Sequence, residues 1–180
     1  LTNGRYARWK AEYDQRDHWI ETAYYGVDGQ PARIKDGYAR MTAKYDERGN
    51  RIGQAYFGVD GRPVLNTFGA ASDRWRFDER GEQVEVSWFG IDGAPTVAIL
   101  GYAREASERD AWGRVARATR YGVDGLPAVG FYGSSSCEYL YDERGNVVEE
   151  RHFGVDGKPA VYALVYATRR ATWDDRGKAV

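Results

Sequence analysis

Apolar and polar residues alternate with a period of two in the stretches that lie between glycines and prolines. Ala39, Met41, Ala43 and Tyr45 share one side of an extended chain, and the residues between them are mostly polar. This alternation is typical of a half-buried β-strand, whereas an amphipathic helix shows a period near 3.6. The glycines and prolines leave uninterrupted windows of only about 10–15 residues, which disfavours long helices. The pattern therefore predicts an all-β protein.

The same pattern returns every 32 residues. The block that begins Tyr-Tyr-Gly-Val-Asp-Gly at residue 24 recurs at residues 56, 88, 120 and 152, with no insertion or deletion between the copies. We therefore expect a single repeat domain, 1–180, that is a fragment of a longer array. Its parts are a partial repeat 1–23, the full repeats 24–55, 56–87, 88–119 and 120–151, and a partial repeat 152–180.

Two turns are predicted in each repeat. The first contains Asp-Gly, a strong hairpin signal, and the proline two residues later lacks an N–H group and suits the start of a strand. The second is Asp-x-x-Gly, as at Asp46–Gly49, where the carboxylate accepts nearby backbone N–H groups and glycine adopts positive φ. The residues of the first turn are Asp28, Gly29, Pro31, Asp60, Gly61, Pro63, Asp92, Gly93, Pro95, Asp124, Gly125, Pro127, Asp156, Gly157 and Pro159.

One repeat is too small to bury a core, so neighbouring repeats must stack on one another. Two architectures fit this requirement. The first is an open tandem array of antiparallel β-hairpins, as an elongated twisted sheet or a β-solenoid. The second is a closed five-bladed β-propeller, whose blades usually take about 40–50 residues. A period of 32 residues favours the open array.

Composition excludes several classes of protein. The net charge of −1 argues against nucleic acid as the main partner, because nucleic-acid binding normally requires a surplus of basic residues. No apolar stretch approaches the roughly 18 residues that a membrane helix needs. The single cysteine, Cys137, rules out an internal disulfide and a Cys-rich zinc site. We expect no nucleic-acid partner, no membrane insertion and no cofactor.

Residues that depart from the repeat are the candidates for catalysis. His18 and His152 occupy different positions in the repeat, and no histidine partner is evident for Cys137 or the serines at 134–136. The two rows of turn aspartates are interpreted as turn caps, because the calcium-binding nonapeptide and the EF-hand spacing are both absent. The sequence therefore predicts no catalytic residue and no metal site.

Aromatic residues outside the expected core are the best candidates for ligand binding. Some fall on the polar side of the alternating pattern, and others begin the repeat. Rings at regular intervals along an exposed surface suit sugars or extended peptides, and cross-strand packing is the alternative interpretation. The candidates are Tyr24, Tyr38, Tyr56, Trp88, Tyr102 and Tyr166.

The block Tyr141–Asn146, followed by Asp156-Gly157, resembles the YD repeats of bacterial RHS-type proteins. Their motif is an aromatic residue, an aspartate, two variable residues and a glycine, and each repeat of this chain carries a version of it. The repeat here is longer than is usual in that family, and its Asp-Gly-x-Pro block is not part of the motif. The resemblance implies hairpins that build a sheet wall in large proteins that are secreted or lie on the cell surface.

The expected function is a non-enzymatic scaffold or protein-interaction module within a larger bacterial protein. The alternative is a carbohydrate- or cell-wall-binding module that uses the regularly spaced aromatic residues. The partner would accordingly be a protein or a glycan. Exposed terminal strands also allow end-to-end self-association, because an unpaired strand edge is a template for another chain.

Overall fold

The computed structural model describes residues 6–180; residues 1–5, which open the first partial repeat, lie outside the described residues. Every regular element in residues 6–180 is a β-strand. The strands are β1 (Arg8–Tyr13), β2 (Trp19–Tyr25), β3 (Arg40–Tyr45), β4 (Arg51–Phe57), β5 (Ser72–Phe77), β6 (Gln83–Phe89), β7 (Arg104–Arg109), β8 (Val115–Tyr121), β9 (Ser136–Tyr141), β10 (Val147–Phe153) and β11 (Thr168–Arg170).

The chain divides into two compact units, Leu1–Ile99 and Leu100–Val180. In the first unit, β1 to β6 pair antiparallel in chain order, and in the second unit β7 to β11 do the same. Strands of neighbouring repeats pair directly, as β2 with β3 and β4 with β5. Each unit is thus an open sheet of successive hairpins, which confirms the predicted hairpin array. The separate four-stranded blades of a propeller do not form.

The Asp-Gly block forms a tight turn at the end of each even-numbered strand up to β10, and we call it the tip turn. In the second repeat, the N–H of Gly61 donates to the carbonyl of Gly58 at 3.1 Å, and Gly61 adopts a φ of +75°. The carboxylate of Asp60 accepts the N–H of Arg62 at 3.1 Å. Pro63 then forms an antiparallel bridge with Phe57, which begins a short return of the chain.

The Asp-x-x-Gly blocks join the two strands of each hairpin at the opposite end of the sheet, and we call them hairpin turns. Asp46 Oδ1 accepts the N–H groups of Arg48 and Asn50 at 3.0 and 2.8 Å. The Arg48 guanidinium also donates to the carbonyl of Glu79 in the next hairpin turn at 2.7 Å. Adjacent hairpin turns are therefore fastened together by charged side chains.

A second turn follows each tip turn and folds the chain back over one face of the sheet. We call these segments the covering loops; residues 32–38, 64–70, 128–134 and 160–166 form four of them. They hydrogen-bond to one another as well as to strands, since the N–H of Thr67 donates to the carbonyl of Asp36 at 3.0 Å. In the second unit, the N–H of Ala163 donates to the carbonyl of Tyr132 at 2.7 Å. This loop-to-loop bonding was not predicted from the sequence.

The covering loops make the two faces of the sheet different. The covered face carries Tyr24, Met41, Tyr56 and Asp73, which the strand register places on the same side. The opposite face carries an aromatic ladder that lies under arginine side chains and is only half-buried. Its rings are Tyr25, Phe57, Phe89, Tyr121 and Phe153.

This ladder does not lie in the core, and arginine side chains lie over four of its five rings, those of Tyr25, Phe57, Phe89 and Tyr121. The guanidinium carbon of Arg40 lies 4.0 Å from the ring centroid of Phe57, and that of Arg104 lies 3.8 Å from the centroid of Tyr121. Stacking on arginine lets an aromatic ring stay near the surface while most of its apolar area is shielded from water. The deepest burial is under the covering loops, at small residues such as Ala39, Ala71 and Ala103.

Candidate functional sites

Most of the aromatic residues considered as ligand contacts are buried, which favours the alternative interpretation that they serve cross-strand packing. Only 6 % of the surface of each of Tyr38, Tyr56, Trp88 and Tyr102 is exposed. Tyr24 and Tyr166 are half-buried. The six residues therefore do not present a set of open ring faces to a sugar.

The covering loops explain why Tyr38 is buried. Alternation placed Tyr38 on the same side as Arg40, but β3 begins only at Arg40, and the chain turns just before it. The ring instead lies over the covered face, where its centroid is 5.0 Å from that of Tyr56 and 6.2 Å from that of Tyr24. Burial raises the pKa of Tyr38 to about 12, with a further contribution from Tyr24.

Polar side chains replace this aromatic row in the second unit. Arg120 stands at the repeat position of Tyr24 and Tyr56. Its Nε lies 3.2 Å from Glu105 Oε2, and its Nη1 donates to the hydroxyl of Ser134 at 3.0 Å. The side chain of Arg120 is only 14 % exposed. A buried guanidinium of this kind requires several partners, and the covered face supplies them.

Two further groups complete the surroundings of the guanidinium. The hydroxyl of Tyr102 donates to Glu105 Oε2 at 3.0 Å, and Cys137 Sγ lies 3.9 Å from Arg120 Nη2. Burial opposes the positive charge, but Cys137, Glu105 and Tyr102 together raise the pKa of Arg120. Arg120 is therefore charged, and it holds the covering loop 128–134 against β8.

Ser134 also contacts a histidine. Its Oγ lies 3.3 Å from His152 Nδ1, and His152 Nε2 lies 3.0 Å from Glu150 Oε1. The ring of Tyr162 stacks on the imidazole at 4.2 Å. The expectation that Ser134 has no histidine partner is therefore wrong. The register of the β9–β10 hairpin places Cys137 opposite His152, and Ser134 lies three residues before Cys137 in the covering loop. That register is the signal that points to a contact between this loop and His152.

The order serine, histidine, glutamate matches the hydrogen-bond chain of serine hydrolases. In this chain, however, Ser134 is 0 % exposed and His152 is 1 % exposed, so the hydroxyl lies closed off from any substrate. Burial lowers the pKa of His152, and Glu150 only partly opposes that effect. The three residues act as a structural network that ties the covering loop to β10.

One off-pattern acid lies on the covered face of the first unit. Asp73 occupies the repeat position of Met41, Glu105 and Cys137, and only 7 % of its surface is exposed. It lines a pocket of about 440 Å³ together with aromatic rings from three successive repeats. The sequence analysis did not single out this residue, because aspartate is common elsewhere in the repeat.

Aliphatic side chains at the tip turns form a surface feature that the sequence analysis also missed. The residue before each turn aspartate is valine or isoleucine in all five copies, and every one of them is more than half exposed. The exposed fractions are 80 % at Val27, 52 % at Val59, 58 % at Ile91, 54 % at Val123 and 58 % at Val155. We call these five side chains the tip residues.

Two other kinds of site were searched for in residues 6–180. No group of three or more histidine, cysteine, aspartate or glutamate residues in that range is arranged to hold a metal ion. The same residues contain no helix long and apolar enough to cross a membrane.

Comparison of the sequence with protein-family models gives no match, and a search of curated proteins gives no significant match. The functional assignment therefore rests on the geometry of the chain itself.

Proposed function

We propose that this chain is a non-enzymatic repeat scaffold that binds a protein partner through its tip residues, as part of a larger bacterial protein. The repeat supplies the same short aliphatic contact once in every 32 residues. A partner with matching apolar positions then gains affinity from several weak contacts made together.

The observation that carries the proposal is the exposure of an aliphatic residue at the same position of every tip turn. Val27 and Ile91, for example, are 80 % and 58 % exposed. The central positions of a tight turn accept most residue types, so the turn does not itself require valine or isoleucine. Exposed turn positions are usually polar, and a repeated aliphatic side chain there is better explained by contact with a partner.

The spacing of the tip residues suits an extended apolar surface. Each repeat adds two strands to the sheet, so neighbouring tips within one unit are expected about 10 Å apart. Burying one valine side chain contributes about 1.5–3 kcal/mol. The covering loops add exposed apolar area beside the tips, at Leu65 and Phe68 in the first unit and at Val129 and Phe131 in the second.

In the first unit, the hairpin turns at the opposite end of the sheet carry charged residues in place of exposed aliphatic side chains. These residues are Glu47, Arg48, Glu79 and Arg80. The burial of most of the candidate aromatic rings also gives less support to glycan binding than to protein binding.

Site-specific photo-crosslinking tests this function. A photoreactive phenylalanine analogue is placed at Val59 in a tip turn and, as the matched control, at Glu79 in the hairpin turn of the same repeat. The protein is irradiated in the cells that make it, and adducts are identified by mass spectrometry. We expect a defined protein adduct from position 59 and little or none from position 79.

Changing the neighbouring tips distinguishes a specific surface from chance contact. Val27→Ser and Ile91→Ser, introduced together, should strongly reduce the adduct at position 59 while leaving the fold intact by circular dichroism. Equal adducts at positions 59 and 79, or adducts unaffected by the serine substitutions, would contradict the proposal. Binding on a glycan array that survives Val59→Ser would favour the sugar-binding function instead.

A further inference from the structure

The pocket around Asp73 lies wholly within the first unit and is built from the covered face and two covering loops. Its volume is about 440 Å³. The strands supply Tyr56, Trp75 and Trp88, and the covering loops supply Tyr38 and Phe68. Phe68 is 39 % exposed and Trp75 is half-buried, so the pocket opens to solvent beside these two rings.

Asp73 is an unusual residue for such a pocket because its carboxylate is only half satisfied. Its Oδ2 accepts a hydrogen bond from the hydroxyl of Tyr56 at 2.5 Å, and that hydroxyl in turn accepts one from Gln54 Nε2 at 3.0 Å. The other oxygen, Oδ1, is buried without a hydrogen-bond partner. A buried carboxylate oxygen that lacks a partner is destabilising, which is acceptable when a ligand supplies the missing charge.

The charges around the pocket identify the kind of ligand. Asp36 and Asp73 both line it, and its lining among the described residues includes no lysine, arginine or histidine. The nearest arginine that acts on Asp73 is Arg51, whose guanidinium carbon lies 4.9 Å from the ring centroid of Trp75. Aromatic ring faces attract cations, and their apolar surface packs against alkyl groups.

We propose that this pocket binds an organic ammonium group, with Asp73 as the counter-ion and the rings of Phe68 and Trp75 against its alkyl chain. A primary alkylammonium ion has the three N–H donors that an unpartnered carboxylate needs. The same chemistry is carried by the lysine side chain of a protein and by a free small amine. This inference does not depend on the tip residues.

Two other ligand classes fit less well. A sugar ring needs an open aromatic face to stack on, whereas Tyr38, Tyr56 and Trp88 are each only 6 % exposed. An anion would face two carboxylates and no lining cation. The pocket is therefore selective for positive charge on an apolar stem.

Titration followed by NMR tests the proposal. The whole chain, in a phosphate buffer free of amines, is titrated with n-butylammonium chloride, with Nα-acetyl-lysine amide and with the neutral isostere 1-butanol. The readout is the indole N–H resonances of Trp75 and Trp88. We expect saturable shifts with the ammonium ions and much weaker binding of the alcohol.

Three variants complete the test. Asp73→Asn and Asp73→Met should weaken n-butylammonium binding by about tenfold or more, because a hydrogen bond to a charged group is lost. Asp73→Met introduces the residue that the preceding repeat has at this position, so the fold is expected to persist. The control Glu47→Gln removes an exposed carboxylate from a hairpin turn and should leave the affinity unchanged.

The outcomes separate the sources of the ammonium group. Comparable binding of both ammonium ions identifies a lysine side chain as a sufficient ligand, and binding of n-butylammonium alone identifies a small-amine site. Equal affinity for 1-butanol and n-butylammonium, or full affinity in folded Asp73→Asn, would overturn the proposal. Absence of any saturable shift at millimolar ammonium would overturn it as well.

Discussion

The two units use the same backbone design to carry two different kinds of covered face. In the first unit, Tyr24, Tyr38 and Tyr56 form a row of contacting rings. In the second, Arg120 stands at the repeat position of Tyr24 and Ser134 at that of Tyr38, and a network of polar hydrogen bonds is added to the ring contacts. The tip turns nevertheless have glycine φ angles of 74–77° in all five copies.

This difference shows that the turns and the strand pairing determine the backbone fold, whereas the side chains of the covered face can vary. An aromatic row is stabilised by apolar burial, which does not depend on direction and tolerates small changes. A buried polar network is stable only when each member keeps its partners, because an unpaired buried charge is strongly destabilising. The second unit should therefore be the more sensitive of the two to single substitutions.

The largest effect is expected at Arg120. Arg120→Met keeps most of the side-chain volume but leaves Glu105 and Ser134 without their partner, and it should lower the free energy of unfolding by about 3–5 kcal/mol. The comparison in the first unit is Tyr38→Phe, which removes one hydroxyl and should cost about 1 kcal/mol. Urea unfolding followed by circular dichroism measures both. Equal losses in the two variants would contradict the contrast between the units.

A smaller loss of stability is expected at Gly101, where glycine is required both for its positive φ and for close backbone packing. Gly101 has a φ of +86°, and an added Cβ would lie 2.9 Å from the backbone nitrogen of Phe131. Gly61 has a φ of +75° and open space around the Cβ position. Gly101→Ala should therefore cost about 2–4 kcal/mol, from backbone strain and steric overlap together.

Gly61→Ala, the matched control, should cost only about 1–2 kcal/mol, because backbone strain alone is involved. Thermal unfolding of the two variants under identical conditions gives the ranking. A larger loss at Gly61 than at Gly101 would show that the covering loop is not held as described.

The pH dependence of the second unit should depend on His152. Burial lowers its pKa in the folded state below the ordinary value of 6.5, so the unfolded state binds the proton more readily. The stability contributed by neutral His152 is therefore present above pH 6.5 and is lost as the pH falls through the lower folded-state pKa. Glu150, Arg120 and the rings of Tyr162 and Tyr166 face this imidazole.

Thermal unfolding between pH 7.5 and pH 5 checks this dependence, with His152→Phe as the control because phenylalanine does not titrate. We expect a lower melting temperature at the acidic end for the native chain and a flatter profile for the variant. Identical profiles would show that His152 does not cause the pH dependence of stability.

The smallest effect is an expected gain in the free energy of unfolding from a substitution in the last covering loop. That loop has valine where the others have glycine, at residue 165, and Leu164 adopts a φ of +61°. Leu164 is also 97 % exposed, so Leu164→Gly relieves strain without loss of packing and should stabilise the chain by about 1 kcal/mol. Val165→Gly, at a residue with ordinary φ, should instead destabilise it slightly. A melting temperature that falls in Leu164→Gly would contradict this assignment.

The sequence was sufficient to predict features that depend on nearby residues. The turn at Asp60-Gly61 forms because the aspartate side chain and the glycine act within a few residues of each other. The alternation in residues 39–45 likewise marks a strand that the structure contains. Both signals are local and strong, so the all-β hairpin array could be predicted without a structure.

The covered face was not predictable because it depends on contacts between different repeats. Tyr38 is buried only because its loop bonds to the next loop, through Asp36 and Thr67. Ser134 and His152 are 18 residues apart in the chain, and they meet because the covering loop brings Ser134 over β10. Asp73 departs from the repeat in the sequence, but its burial is shown only by the structure.

The most direct test is to replace covered-face side chains of the second unit with those of the first and to ask whether the backbone fold persists. The variant carries Glu105→Met, Arg120→Tyr, Ser134→Tyr, Cys137→Met, Glu150→Thr and His152→Tyr, which introduce the residues that the first unit has at Thr22, Tyr24, Tyr38 and Met41. The measurement is amide hydrogen exchange at Gly125, in a tip turn, and at Ser135, which bonds to the carbonyl of Phe153 at 2.8 Å. We predict that both amides stay as protected as in the native chain. Loss of protection at both would contradict the claim that the turns and strand pairing hold this fold independently of its covered face.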